Sequence, residues 1–379
     1  MPSAASNPAA AHESPLPRAG TKADAQQIYV GDDACRSCHQ NKAENFHYTT
    51  HYLTSQLPGP ETILGSFKEG ENVLKTSNER LVFKMEAGKD GFTQTAVDGT
   101  HTESRTERFG VVVGSGSKGQ TYVFWKNDQL FQLPVSYWSE LGWVNSPGYR
   151  DGVAEFRRPI VPRCLECHAT YFESLAPPLN RYNKANFVVG ITCEKCHGPG
   201  REHIEQQNSK SNSGSGPTIA NPAHFSRERQ LDLCAWCHAG LGVAVAPSFS
   251  YVAGKPLDQY VDLPPPDPNA GVDVHGSQVE LLERSRCFKS STMTCTTCHD
   301  VHAPQHDLAG FSQRCLSCHK EEGCGMFPKL GHAISSNCID CHMPNQPTNL
   351  IVFDDRGKKA RPRMRNHWIK VYAEAAAAN

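Results

Sequence analysis

The chain has 379 residues, a formal net charge of −1 and 38% apolar residues. Nothing in that charge balance suggests a nucleic-acid binder, and the absence of any run of eighteen or more apolar residues leaves no expected membrane-spanning helix. What departs from ordinary usage is the sixteen cysteines.

In chain order, residues 1–27 form an Ala/Pro/Ser-rich stretch that reads as a disordered tail or linker. It lacks the apolar core that a signal peptide needs. Residues 28–60 carry the first CxxCH motif, Cys35, Cys38 and His39, in a segment of helical composition from Cys35 to Leu53. Residues 61–150 contain no cysteine. Strand-like runs occupy Leu81 to Met85, Gly91 to Val97, Phe109 to Val113, Thr121 to Trp125 and Leu130 to Val135, separated by turn-like stretches. They predict an inserted small antiparallel β module, either a cover over its neighbours or a partner surface. Within it, GSGSKG at Gly114 to Gly119 lies between two strands and lacks the spacing of a phosphate loop, so it reads as a turn.

Residues 151–379 hold six more motifs: Cys164, Cys167 and His168; Cys193, Cys196 and His197; Cys234, Cys237 and His238; Cys295, Cys298 and His299; Cys315, Cys318 and His319; Cys338, Cys341 and His342. Successive motifs start 129, 29, 41, 61, 20 and 23 residues apart, too irregular for a solenoid. The short tethers require that neighbouring motifs lie close together. Gln278 to Arg286 has helical composition and Leu263 to Pro268 reads as a proline-rich linker. The basic run Arg356, Lys358, Lys359, Arg361, Arg363 and Arg365 is either a solvated segment or a docking patch.

Each part of CxxCH has a chemical task. Two thiols separated by two residues have the reach to add across the two vinyl groups of haem, and the adjacent imidazole is delivered to one axial face of the iron. Zinc knuckles would explain the cysteine pairs but not a histidine beside every second cysteine. The reading is therefore seven covalent haem c groups, one for about every 54 residues, so that folding should depend on haem attachment. Haem c is attached outside the cytoplasm in bacteria, which predicts a periplasmic or extracellular protein. The expected fold is mainly helical and irregular, built around the haems.

Eleven histidines lie outside the motifs, enough to supply a second axial ligand everywhere. The phrases CRSCHQNKAENFHYTTH, CEKCHGPGREH, CTTCHDVH and GHAISSNCIDCHMP resemble the multihaem cytochromes c that include pentahaem nitrite reductases, octahaem tetrathionate reductases, hydroxylamine oxidoreductases and non-catalytic carriers. The resemblance covers roughly residues 28–60 and 159–367. It implies a multihaem cytochrome c fold, with His51, His203, His302, His332 and His367 as distal ligands and His275 as a sixth. His302, only three residues beyond His299, is too constrained to reach the opposite face of the same haem and should serve a neighbour. For the seventh position His224 is the choice, with His47, His306 and His101 as rivals. Cys287 and Cys324 are spare thiols that would pair as a disulfide in an oxidising compartment.

Three functions are compatible with these features. One is an electron carrier passing electrons between redox partner proteins or to an external acceptor. Another is a reductase or dehydrogenase of a small nitrogen or sulfur compound at one open haem. The third is a subunit of a homo-oligomer or extracellular filament. The first needs nothing beyond haem and ligands. No CxxCK motif is present to favour the second.

Overall fold

The computed structural model describes residues 29–99, 104–175, 177–209, 217–269, 271–273, 275–348, 350–355 and 358–377. The expected tail at 1–27 and the candidate ligand His101 lie outside these residues. Among them, no helix is long and apolar enough to cross a membrane.

Helix α1 (Asp32–Phe46) carries the first motif, with a break in helical geometry at His39. The chain then enters ten strands: β1 (Ser55–Gln56), β2 (Val73–Lys75), β3 (Leu81–Gly88), β4 (Gly91–Asp98), β5 (Ser104–Arg108), β6 (Val111–Val113), β7 (Gly119–Lys126), β8 (Gln129–Gln132), β9 (Val135–Trp138) and β10 (Gly142–Asn145). Antiparallel pairing sorts them into a four-stranded sheet, β2-β3-β4-β5, and a six-stranded sheet, β1-β6-β7-β9-β10 with β8 paired to β7. The β7–β8 hairpin closes through Lys126↔Gln129, with Asn127 at a positive φ that asparagine tolerates better than most side chains. Gly114 to Lys118 form the turn between β6 and β7, and Gly119 opens β7.

Alternation explains why the sheets stack. On β3, Leu81, Phe83 and Met85 are buried on one face. They meet Tyr122, Phe124, Val135 and Trp143 of the other sheet in one apolar core. The buried Gln94 side chain bonds to both the N–H and the carbonyl of Val135, tying the sheets together. The six-stranded sheet is apolar on both faces. Val111 and Val123 point away from the sandwich and pack on Leu165, Ala169, Phe172 and Tyr182.

That second face meets α2 (Pro162–His168), which carries the second motif, and a hairpin of β11 (Ala169–Ser174) and β12 (Tyr182–Val189). Strands therefore extend beyond the expected insertion. The remaining motifs follow on short helices: α3 (Cys193–His197), then α4 (Arg201–Asn208), and α5 (Arg227–His238), whose last turn is the fourth motif. The helical stretch expected over Gln278 to Arg286 is two pieces, α6 (Gln278–Glu283) and α7 (Arg286–Lys289). Cys315 lies in the last turn of α8 (Leu308–Leu316), and in the seventh motif Cys338 caps the turn Ile339–His342.

Candidate functional site

A helical turn puts residues i, i+3 and i+4 on one face, so in each motif both thiols and the histidine project to the same side. All twenty-one of these residues, from all seven motifs, line a single cavity of about 3770 Å³. Shared among seven motifs that is roughly 540 Å³ each, within the range of about 300–1,000 Å³ for a single cofactor site. The six-stranded sheet walls part of it through Val113, Thr121, Val123, Gln132 and Trp138, together with the Ser115, Ser117 and Lys118 turn. The core shared by the two stacked sheets contributes no residue to the lining.

Histidines meet in pairs inside this cavity. His238 of the fourth motif faces His51 with ring centres 6.1 Å apart, His197 of the third faces His302 at 6.1 Å, and His299 of the fifth faces His367 at 6.3 Å. A metal–imidazole bond of about 2.0 Å, with the ring centre about 1.1 Å beyond the nitrogen, places two imidazoles on opposite sides of one metal ion about 6.2 Å apart. Two further motif histidines have a cavity-lining histidine within electrostatic reach: His39 with His203, and His168 with His275. Among the described residues, no three His, Cys, Asp or Glu side chains converge on one point. Ligands in twos suit a metal whose other four positions come from a macrocycle.

Protonation and orientation fit the same chemistry. Burial pushes His51, His168, His203, His299 and His302 below the usual imidazole range, and pushes His238 and His367 down to about 4. Neutral imidazole is the form that binds a metal. Several rings are also held through Nδ1, which leaves Nε2 for the cavity. His168 bonds Thr54 Oγ1 at 3.0 Å, His197 the Ala220 carbonyl at 2.9 Å, His342 the Lys370 carbonyl at 3.1 Å and His367 the Arg365 carbonyl at 3.2 Å.

Sulfur contacts show how the motifs are strung together. Cys35 lies within electrostatic reach of Cys193, Cys167 of Cys237, and Cys234 of Cys295. Cys298 lies within electrostatic reach of Cys318, and Cys315 of Cys298 and Cys338. The first motif exposes Cys38 with His39 and the sixth exposes Cys318 with His319, while in the fifth the histidine, His299, is exposed but neither cysteine is.

Other expected ligands sit elsewhere. His332 is outside the cavity lining, its side chain 83% exposed and its Nδ1 bonded to Glu321 Oε2 at 2.5 Å. His224 ends the 3-10 turn Pro222–His224; Asn221 to Ala223 line the cavity and His224 does not. His47 is 3.7 Å from Asp32 and stacks near Tyr52, and His306 is exposed outside the lining. The expected Cys287–Cys324 disulfide is not formed. Both thiols are free on the cavity wall, with Cys287 near Cys298 and Cys315. Within the basic run, Arg361 bonds the Thr348 carbonyl and Arg363 the Asn345 carbonyl, while Arg365 bonds the Met343 carbonyl and pairs with Asp340. Arg356 and the Lys358 side chain lie outside the described residues.

Sequence reasoning missed two buried carboxylates inside the motifs. Glu166 accepts from Phe249 N at 2.6 Å and pairs with Arg163, and Glu194 accepts from three backbone N–H groups. Nothing in CxxCH spacing distinguishes these positions from solvent-facing ones.

The family "Cytochrome c554 and c-prime" matches residues 150–198, which hold the second and third motifs. Over 198 residues the chain is 27% identical to the multiheme cytochrome MtrA of Shewanella baltica (strain OS185). That alignment covers 48% of this chain and 46% of MtrA, so the chain matches less than half the length of this relative. Among solved structures, Outer Cell Wall Cytochrome OcwA is similar in fold, with a TM-score of 0.57 over 93% of this chain and 82% of that one, at 18% identity.

Proposed function

We propose that this chain, a member of the multihaem cytochrome c superfamily, is a seven-haem electron conduit that works outside the cytoplasm. The observation that carries this reading is the spacing of three imidazole pairs at 6.1–6.3 Å across a cavity common to all seven motifs. Haem c supplies reversible one-electron oxidation and reduction when bound. The chain's own task would be to hold each site at a fixed place in a series and to present imidazoles to it, in pairs at five of the seven.

The sulfur contacts support a spatial order of first, third, fourth, fifth, sixth and seventh motif, with the second attached beside the fourth. The ligand pairs brace this series. His51, just past the end of α1, faces the fourth motif, and His302, just past the fifth, faces the third. Each pair ties two segments of chain to one site, so neighbouring sites cannot drift apart independently. The exposed first and sixth motifs are the two places where electrons would exchange with redox partner proteins or an external acceptor.

A second reading, reduction of a small nitrogen or sulfur compound at an open haem, draws on His332 being engaged by Glu321. Intact-mass measurement combined with low-temperature EPR and near-infrared magnetic circular dichroism of the oxidised protein tests both. Seven haems with at least five bis-histidine low-spin signals is the expected result for the conduit. Fewer than five would overturn it. A high-spin haem that binds nitrite or hydroxylamine would establish the second activity beside it.

A further inference from the structure

Glu194 is the second residue of the third motif, yet it is 3% exposed and its carboxylate faces other segments of the chain. Oε1 accepts from Val30 N at 2.9 Å and from Gly200 N at 2.8 Å, and Oε2 accepts from Gly31 N at 3.0 Å. Three N–H donors on two acceptor oxygens is an arrangement that only a carboxylate satisfies fully, because it accepts at both oxygens and donates at neither. Among the described residues no cation lies within 4.0 Å of it. The backbone N–H groups themselves are its partners.

The identity of those donors gives Glu194 its role. Gly31 is the N-cap of α1, which carries Cys35, Cys38 and His39. Gly200 is the N-cap of α4, which carries His203. One carboxylate therefore anchors the starts of both helices that present imidazoles to the first site, from a position inside the third motif. Asp32, the first residue of α1, returns the contact by accepting from Cys193 N at 3.1 Å. The junction has no room to spare. A Cβ on Gly200 would sit 3.1 Å from Val30 Cγ2 and 3.4 Å from Glu194 Oε1.

We infer that Glu194 is the positioning residue for the first haem: it holds the His39 and His203 helices in register, and so keeps the haem at the exposed end of the series six-coordinate. This inference rests on the reading that His39 and His203 are that haem's axial pair. Replacement by glutamine keeps the shape but sets an amide N–H₂ against one of the N–H donors. Replacement by alanine removes all three acceptors.

The test uses the full haem-loaded chain in four variants: E194Q, E194A, G200A and, as a benchmark, H203A. The readout is the number of bis-histidine low-spin haems by EPR, with cyanide binding to the ferric protein as a second signature. H203A should convert one haem to a high-spin, cyanide-binding form. E194A should perturb that same haem and leave the others low-spin, with E194Q and G200A doing so in part. If E194A fails to mature, E194Q and G200A decide the matter. The inference is overturned if H203A alters one haem while E194Q and G200A leave it untouched, or if they disturb all haems alike. If H203A itself changes nothing, the axial-pair reading falls, and the inference with it.

Discussion

His51→Ala isolates one ligand without disturbing the backbone around it. The His51 carbonyl accepts from Ile191 N and Thr54 N, and alanine keeps both bonds. What disappears is the imidazole facing His238 across 6.1 Å. With seven motifs in the chain, the expected change is one haem iron in seven, about 14% of the total, passing from low-spin to high-spin. Ring truncation also leaves a gap the size of the lost imidazole, so added free imidazole should return that haem to low-spin. The assay is spin quantitation by EPR on the oxidised variant, with and without imidazole. The sulfurs of the fourth motif lie within electrostatic reach of those of the second and the fifth, so end-to-end electron passage should slow together with the spin change. An unchanged low-spin count in His51→Ala would refute the pairing of His51 with His238.

Phe83→Ala probes the part of the fold that does not depend on haem. Phe83 is fully buried in the core between the two sheets, none of whose members lines the cavity, and the truncation should cost about 3–5 kcal/mol. Denaturation followed by tryptophan fluorescence, to which Trp143 in that core contributes, should show an earlier transition while the haem spectrum holds to its original midpoint; a joint shift of both would contradict an independent core. Acid should loosen the haem ligands over a defined window. His238 and His367 are held at about 4 by burial, whereas in an unfolded chain each takes a proton near pH 6.5. The unfolded state then binds more protons between those values, so stability falls as pH drops from about 6.5 to 4 and levels off below. Iron held by the same imidazole competes with the proton, so low-spin absorbance should persist through that interval and fall only at its acid end or below, and ligand loss already near pH 6.5 would count against neutral buried histidines.

Some features could be read without the fold because their chemistry is local. CxxCH spans five residues, and vinyl addition plus an adjacent ligand demands that spacing whatever surrounds it. The strands of the β module were readable for a similar reason, since alternation such as Leu81, Phe83 and Met85 is a property of consecutive positions. The β11–β12 hairpin was overlooked because its apolar positions, Phe172, Tyr182 and Phe187, are split by a turn containing Pro177 and Pro178, next to a haem motif.

Partner choice is different. His51 lies 187 residues from His238, and His203 lies 164 from His39; a resemblance can nominate such histidines, but spacing cannot say which iron each serves. His332 illustrates the limit, since its sequence context suggests a ligand and the fold places it on Glu321 instead. Cys287 and Cys324 illustrate it again, because compartment chemistry favours a disulfide while the chain path sets both thiols on the cavity wall. Glu194 could not have been singled out at all, because its role depends on where Gly31 and Gly200 arrive. Amino-acid order by itself pointed to haem c and to the cysteines that would attach it, and it carried the strands of a sheet module, because these depend on a few bonds or a few residues. The tertiary structure alone decided which imidazoles face each other and how the motifs follow one another in space, because those depend on how segments far apart in the chain are brought together.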